Sequence, residues 1–467
     1  MNARTDRLPG QSADRMARLA MRVYARMAAR IDQAFGEQQA ASRVGPMLRL
    51  EVAAEGLEPL AWLAAQHKLP RLYWADREQR RGVAGVGLAD RLALAEGMTP
   101  AELVERTASR LQDASPGVRY YGGFRFDAAA AVSAEWQPFG LGWLALPRFE
   151  LVSEGGRVRF ACNAFPGRDS RARLLEELGG LVCDIEPLSP VAPPVRKLDS
   201  PSRGAWAGMV RAVTDSLGRG ELCKLVLARR TDMVFAERPD ALALLAALSR
   251  RSGPCFHFYF NPGGDTAFLG ASPERLFHRR GRHVGTEALA GTRARGATGA
   301  EDDALRAELL NCGKDGREHA CVVRYLEHRL APLTTGATEA KALQVLGLPH
   351  VQHLHVGLSG ALGPGVSDAA LLDSLHPTPA VAGDPPPQAL HRIAALEPFD
   401  RGWYAGPVGY VGAEESEFAV AIRSGLLHDR ELALFVGAGI VQGSDAAAEW
   451  QELESKMASL RAAWADE

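Results

Sequence analysis

No run of about 18 apolar residues occurs in this 467-residue chain, so no transmembrane helix is expected. Its start lacks a basic head followed by an apolar core, so no secretory signal is expected and the cytoplasm is the expected location. The six cysteines, Cys162, Cys183, Cys223, Cys255, Cys312 and Cys321, form no C-x-x-C pair. That argues against a zinc site or a redox dithiol and fits reduced thiols in a reducing compartment. Charge of one sign is also missing. The formal net charge of -2 points to no nucleic-acid or membrane-surface partner. There is no P-loop, and the one glycine-rich segment after a strand-like run, GAGIV at Gly437–Val441, has Gln442 where a dinucleotide fingerprint needs a third glycine. Repeats and low-complexity tails are absent. What is present is an average globular composition, 46% hydrophobic and 24% charged, in a chain long enough for one large or two ordinary domains.

The clearest seam is Asp184–Ser200, where Pro187, Pro190, Pro193 and Pro194 forbid helix and favour an extended connection. Residues 1–195 read as one helix followed by a strand-rich half, and residues 200–463 as a region that mixes strands and helices. Gln11–Ala41 is rich in Ala, Arg and Met, but Asp14, Asp32 and Glu37 interrupt it, which favours an amphipathic helix over a transit peptide. Strands are predicted at Arg71, Tyr120, Gly142, Arg157, Lys224, Cys255, Phe418 and Leu432. Helices are predicted over Pro239–Arg251, Ala300–Leu330 and Asp445–Trp464, and a loop over Pro385–Pro387. Strands and helices do not alternate strictly, so a doubly wound parallel sheet is not implied.

Several charges sit where apolar residues belong. On the C-terminal helix, Glu449, Glu452 and Lys456 share one face and flank Leu453, Met457 and Leu460. On the helix before it, Lys314 and Glu318 interrupt the stripe Leu310, Val322 and Tyr325, with Asp315 and His319 adjoining. Carboxylates aimed at a core need compensation. A hard divalent cation supplies it, and so does a structural ion pair between helices. Lys224 shares a strand face with Val226 and Ala228. A lysine there loses charge stabilisation and can act as a general base; a protective edge-strand lysine is the plain alternative. FLGASPERL, from Phe268, reads as strand, tight turn and helix start, with Pro273 in the first helical position and Glu274 in the first turn. Arg423, on a strand face with Ala419 and Ala421, can reach a carboxylate in bidentate fashion or simply face solvent. GAGIV could offer backbone N–H groups to an anion, which keeps a phosphate- or nucleotide-binding protein open as an alternative.

Taken in order, KLVLARR, LGASPERL, ALAGTRARG, GKDGREH, VQHL, LHPTPAVAG, EPFDRGWYAGPVGY, AIRSGLL and GAGIV followed by EWQELESK resemble the chorismate-utilising enzymes, most closely the isochorismate synthases. The resemblance spans roughly residues 200–463, and GGFRFD at Gly122 extends it loosely toward the N-terminus. Lys224 and the LHPTPAVAG segment mark the isochorismate synthase form. A salicylate synthase, which goes on to eliminate pyruvate, shares the lysine and is the nearest alternative. Departures are small: Gly316 stands where a bulkier residue is frequent, and the loop before Glu449 lacks a proline.

The resemblance implies a fold of α/β (α+β) type, a large sandwich of mainly antiparallel sheets with outer helices. It implies a monomer acting on chorismate with Mg2+. Lys224 would be the base that activates water, and Glu274 the acid that protonates the leaving hydroxyl. Glu318 and Glu452 would hold the metal, with Glu449 and Asp315 behind them. Arg423, Tyr404, Gly437 and Lys456 would hold substrate oxygens, and Gly291, Thr292, His353 and Ala380 would line the ring.

Overall fold

The strand Gly142–Glu154 is the fork on which the fold is built. One edge pairs along its length with Arg81–Ala93. The other edge is divided: Phe149–Glu154 pairs with Arg157–Ala164, while Gly142–Ala145 pairs with Arg119–Phe124. Two antiparallel branches leave this fork in the computed structural model, which describes residues 9–38, 47–461 and 463–464. The first runs through Arg71–Ala75, Phe256–Asn261, Thr266–Ser272, Ser424–His428, Glu431–Ile440 and Lys224–Val234. The second runs through Pro407–Gly412, Glu415–Val420, Arg275–Arg280, His283–Ala294 and Val351–Ala361.

The branches lie over one another. Trp74 of the first meets Tyr410 of the second edge-on, with ring centroids 6.3 Å apart. The buried Trp403 packs on Phe139 and on Phe260 of the first branch. Phe256–Asn261 is buried on both faces, which explains its aromatic-rich run: a strand covered on both sides has no solvent-facing side to alternate with.

Helices cover the outside. Pro9–Gln38 buries Ala20, Val23, Tyr24, Met27, Ile31 and Phe35 at three- and four-residue spacing, as an amphipathic helix should. Residues 39–41 of that expected helix lie outside the described residues. Ala446–Arg461 begins at Asp445, whose carboxylate accepts from the N–H groups of Ala447 and Ala448. Its Trp450 packs edge-on against Trp206 of the helix Arg203–Gly218. The proline seam runs extended to the strand Arg196–Ser200, which pairs with the distal part of Lys224–Val234.

Four local expectations need correction. Glu274 is not in a helix: Ser272 ends one strand and Arg275 begins the next, and the N–H of Val420 donates to the Glu274 carbonyl, so a cross-strand partner overrides the helix-start pattern. Ala300–Leu330 is two helices, Gly299–Asn311 and Gly313–Leu330, broken at Cys312, which has extended backbone. Leu310 therefore belongs to the first helix, is 45% exposed and forms no stripe with Glu318. Pro385–Pro387 opens the helix Pro386–Leu396, where prolines in the first turn lack only N–H groups that would have no partner anyway. Arg423 lies past the end of the strand Glu415–Val420, at φ +50°.

Candidate active site

A cavity opens where the two branches meet the helices Gly313–Leu330 and Ala446–Arg461. Its walls include Glu274, Gly291, Thr292, Glu318, His353, Ala380, Tyr404, Arg423, Gly437, Glu452 and Lys456. Three residues of the expected set lie behind this wall. Lys224 is fully buried beneath Glu318, and Asp315 and Glu449 sit on the two helices with basic partners of their own. A roomier open cleft of about 670 Å³ runs along the proline seam, but its titratable side chains, including His67, Asp184 and Arg238, are all exposed.

Lys224 Nζ lies 2.8 Å from Glu318 Oε1 and makes no aligned hydrogen bond. It is not on a sheet edge, since its strand pairs with Glu431–Ile440 on one side and with Gly383–Asp384 on the other. Burial would raise the Glu318 carboxyl, but Lys224, then Lys456 and Lys314, outweigh it and hold Glu318 below the usual range. Gly439 leaves the room for this pair: a Cβ there would lie 2.1 Å from Glu318 Oε1 and 2.9 Å from Lys224 Cε.

Glu274 is buried and behaves oppositely. Desolvation, reinforced by the charge of Glu287, pushes its carboxyl up to about 8. Glu287 is also buried, yet it is held at about 2, because a His355 hydrogen bond and the charges of Arg77 and Arg275 overcome desolvation. Two carboxyls whose environments drive them apart are what acid chemistry near neutrality requires.

The ring wall is built on a bulge. Between Ala290 and Thr292 the pairing with Val351–Ala361 slips, and Gly291 takes φ +74°. A Cβ there would come within 3.1 Å of Asp315. Burial, with Arg423 and Lys456 nearby, holds the His353 imidazole well below its usual range and so neutral. Its Nε2 accepts from Arg423 Nη2 at 2.5 Å, leaving Nδ1–H to donate to the Gly291 carbonyl at 3.2 Å, with Thr292 Oγ1 also at 3.2 Å. Tyr404 stacks on Phe435, and burial raises its phenol, which stays a donor. The Tyr404 hydroxyl sits 2.9 Å from where a Cβ on Gly437 would be. Lys456 Nζ donates to the Gly437 carbonyl at 2.9 Å and pairs with Glu452 at 2.7 Å. Gly437–Ile440 is thus strand, paired with Leu225–Ala228, and GAGIV forms no loop for an anion.

The acidic helices carry the ion pairs that spacing alone left open: Lys314 with Glu449, Lys224 with Glu318 and Lys456 with Glu452. Asp315 lies 2.8 Å from Arg293 and is raised by burial. Burial raises Glu449 too, with the charge of Glu452 adding to it. Among the described residues no three His, Cys, Asp or Glu side chains converge as a ready-made metal cage. The donor set nevertheless fits a hard divalent cation. Two oxygen-only side chains, Glu318 and Glu452, line one cavity from two helices, and such ions take few protein carboxylates plus waters and substrate oxygens.

Sequence reasoning missed Gly439, Glu287, His355 and Arg77. The glycine was visible in GAGIV but read as an anion loop. Glu287 stood out only as an acid in an apolar strand, and its partner Arg77 is 210 residues away.

Residues 31–464 match the family described as Chorismate binding enzyme. Isochorismate synthase MenF of Escherichia coli is 34% identical over 87% of this chain and 90% of its own length. The chloroplastic isochorismate synthase of Catharanthus roseus is 32% identical over 88% of this chain and 79% of its own. The solved structure of the menaquinone-specific E. coli MenF superposes with a TM-score of 0.82 at 32% identity, covering 94% of this chain and all of that one. No helix among the described residues is long and apolar enough to cross a membrane. With this match over nearly its whole length, the chain belongs to the chorismate binding enzyme family, among its isochorismate synthases.

Proposed function

We propose that the chain interconverts chorismate and isochorismate at this cavity. Water adds at C2 of the ring, the two ring double bonds shift, and the C4 hydroxyl leaves as water. The observation that carries this reading is a buried carboxyl, Glu274, raised to about 8 on the wall of the cavity under which Lys224 lies buried. Glu274 gives its proton to the departing C4 oxygen. Lys224, buried beneath that wall, takes the proton of the attacking water at Nζ. Arg423, held by His353, and Lys456 bind the substrate carboxylates, while Tyr404 donates to a substrate oxygen and the bulge at Gly291 and Thr292 lines the ring with Ala380. Glu318 and Glu452 would hold Mg2+, with Glu449 and Asp315 behind them through water, and the ion when bound offsets the charge of the ring carboxylate. The relatives named as isochorismate synthases favour release of isochorismate over a second, pyruvate-eliminating step. Chromatography of chorismate incubated with enzyme and magnesium tests this: isochorismate is expected, and its absence, or equal yields of salicylate and pyruvate, overturns it.

A further inference from the structure

Glu274 is carried by a two-residue link between strands of the two branches, and a link by itself does not hold a carboxyl still. The peptides on either side of it are both tied to one buried cluster. Glu287 Oε1 accepts from the N–H of Arg275 at 2.8 Å and from Arg77 Nη1 at 2.5 Å. The same Arg77 nitrogen donates to the carbonyl of Pro273 at 3.0 Å. Glu287 Oε2 is fixed from the neighbouring strand by His355 Nε2 at 3.0 Å. Residues 273 and 275 are thereby clamped around residue 274 by one carboxylate and one guanidinium.

Neutralising the two arginines does not account for Glu287. Arg275 already has Glu417 at 2.8 Å, and Arg77 has Glu78 at 3.6 Å. Moreover, Glu287 meets Arg275 at its backbone N–H and not at its guanidinium.

We propose that Glu287 is a positioning residue for the acid of the reaction: with Arg77 it fixes the link that aims Glu274 into the cavity, and it keeps a negative charge beside the Glu274 carboxyl. The inference rests on the role proposed above for Glu274. The groups around Glu274 are Glu287, Lys224, Lys456, Arg423 and Tyr404; those around Glu287 are Arg77, Arg275 and His355. Of these, Glu287 is the neighbouring charge that favours the protonated acid, whereas the three cations near Glu274 oppose it.

The test compares Glu287→Gln and Glu287→Asp with wild type in kcat, KM and the pH dependence of kcat/KM, with magnesium present, and runs Glu274→Gln in parallel. Glu287→Gln removes the charge, so the basic limb should move down by about one pH unit, and kcat should fall about ten- to a hundredfold with KM little changed. Glu287→Asp keeps the charge but is too short to hold both donors, so kcat should fall while the limb stays in place. A purely structural role would lower activity in both variants without moving the limb, and that result overturns the proposal. So does full kcat in Glu287→Asp, which also decides the matter if Glu287→Gln does not fold. If Glu274→Gln retains wild-type activity, the acid itself is misassigned and the proposal falls with it. If Glu274→Gln is inactive while both Glu287 variants match wild type, only the positioning role is overturned.

Discussion

The protonation of Glu274 gives the sharpest test of the mechanism. A general acid works only in its protonated form. With the carboxyl raised to about 8, roughly nine-tenths of the enzyme carries that proton at pH 7. At the ordinary value of 4.5, the fraction would be roughly 0.3%. Because the shift is upward, the competent form is full at low pH and is lost as pH rises through 8. From pH 7 to pH 9 the protonated fraction falls about tenfold, and beyond that about tenfold per unit. Initial rates of isochorismate formation, at saturating magnesium and constant ionic strength, should therefore give kcat/KM with a basic limb centred near pH 8. In Glu274→Gln the forward rate should drop about 10²–10⁴-fold, since an amide cannot protonate a departing hydroxyl. A kcat/KM that is level through pH 9.5, or one that already declines tenfold per unit from pH 5, would refute the reasoning.

Three further outcomes follow from the same geometry. Lys224→Ala should lose about 10²–10⁴-fold in kcat, and its combination with Glu274→Gln should cost far less than the product of the singles, as steady-state rates will show, because the two act in one step. Glu318→Gln and Glu452→Gln should lower activity sharply and raise the magnesium concentration needed for half-activation of what remains, with far-UV circular dichroism unchanged; near wild-type rates at limiting magnesium would remove these residues from the metal site. Gly439→Ala places a methyl 2.1 Å from Glu318 Oε1 and should lower activity by displacing that carboxylate, whereas Gly316→Ala, whose new methyl would meet nothing within 4 Å beyond its own helix backbone, should leave kcat within about twofold.

The sequence by itself determined most of the elements and most of the residues that gather at the cavity. Apolar runs rich in aromatics marked the strands at Arg71, Gly142 and Phe256, and a three-and-four spacing marked the first helix. Ordered motifs named the residues that now line one cavity, from Glu274 to Lys456. These signals are local: periodicity and residue type are properties of neighbours in the chain. What the sequence did not decide are the pairings. The helix-start pattern at Pro273 yielded to cross-strand bonding with Val420, and the glycines of GAGIV proved to be strand that makes room for Glu318 and Tyr404. Which lysine meets which glutamate, and whether a buried carboxyl stands at about 8 like Glu274 or about 2 like Glu287, depends on desolvation and on charges brought together from distant segments. Arg77, 210 residues from Glu287, can set that carboxylate only after the two branches have closed over one another, and electrostatics of that range exists only in the folded chain.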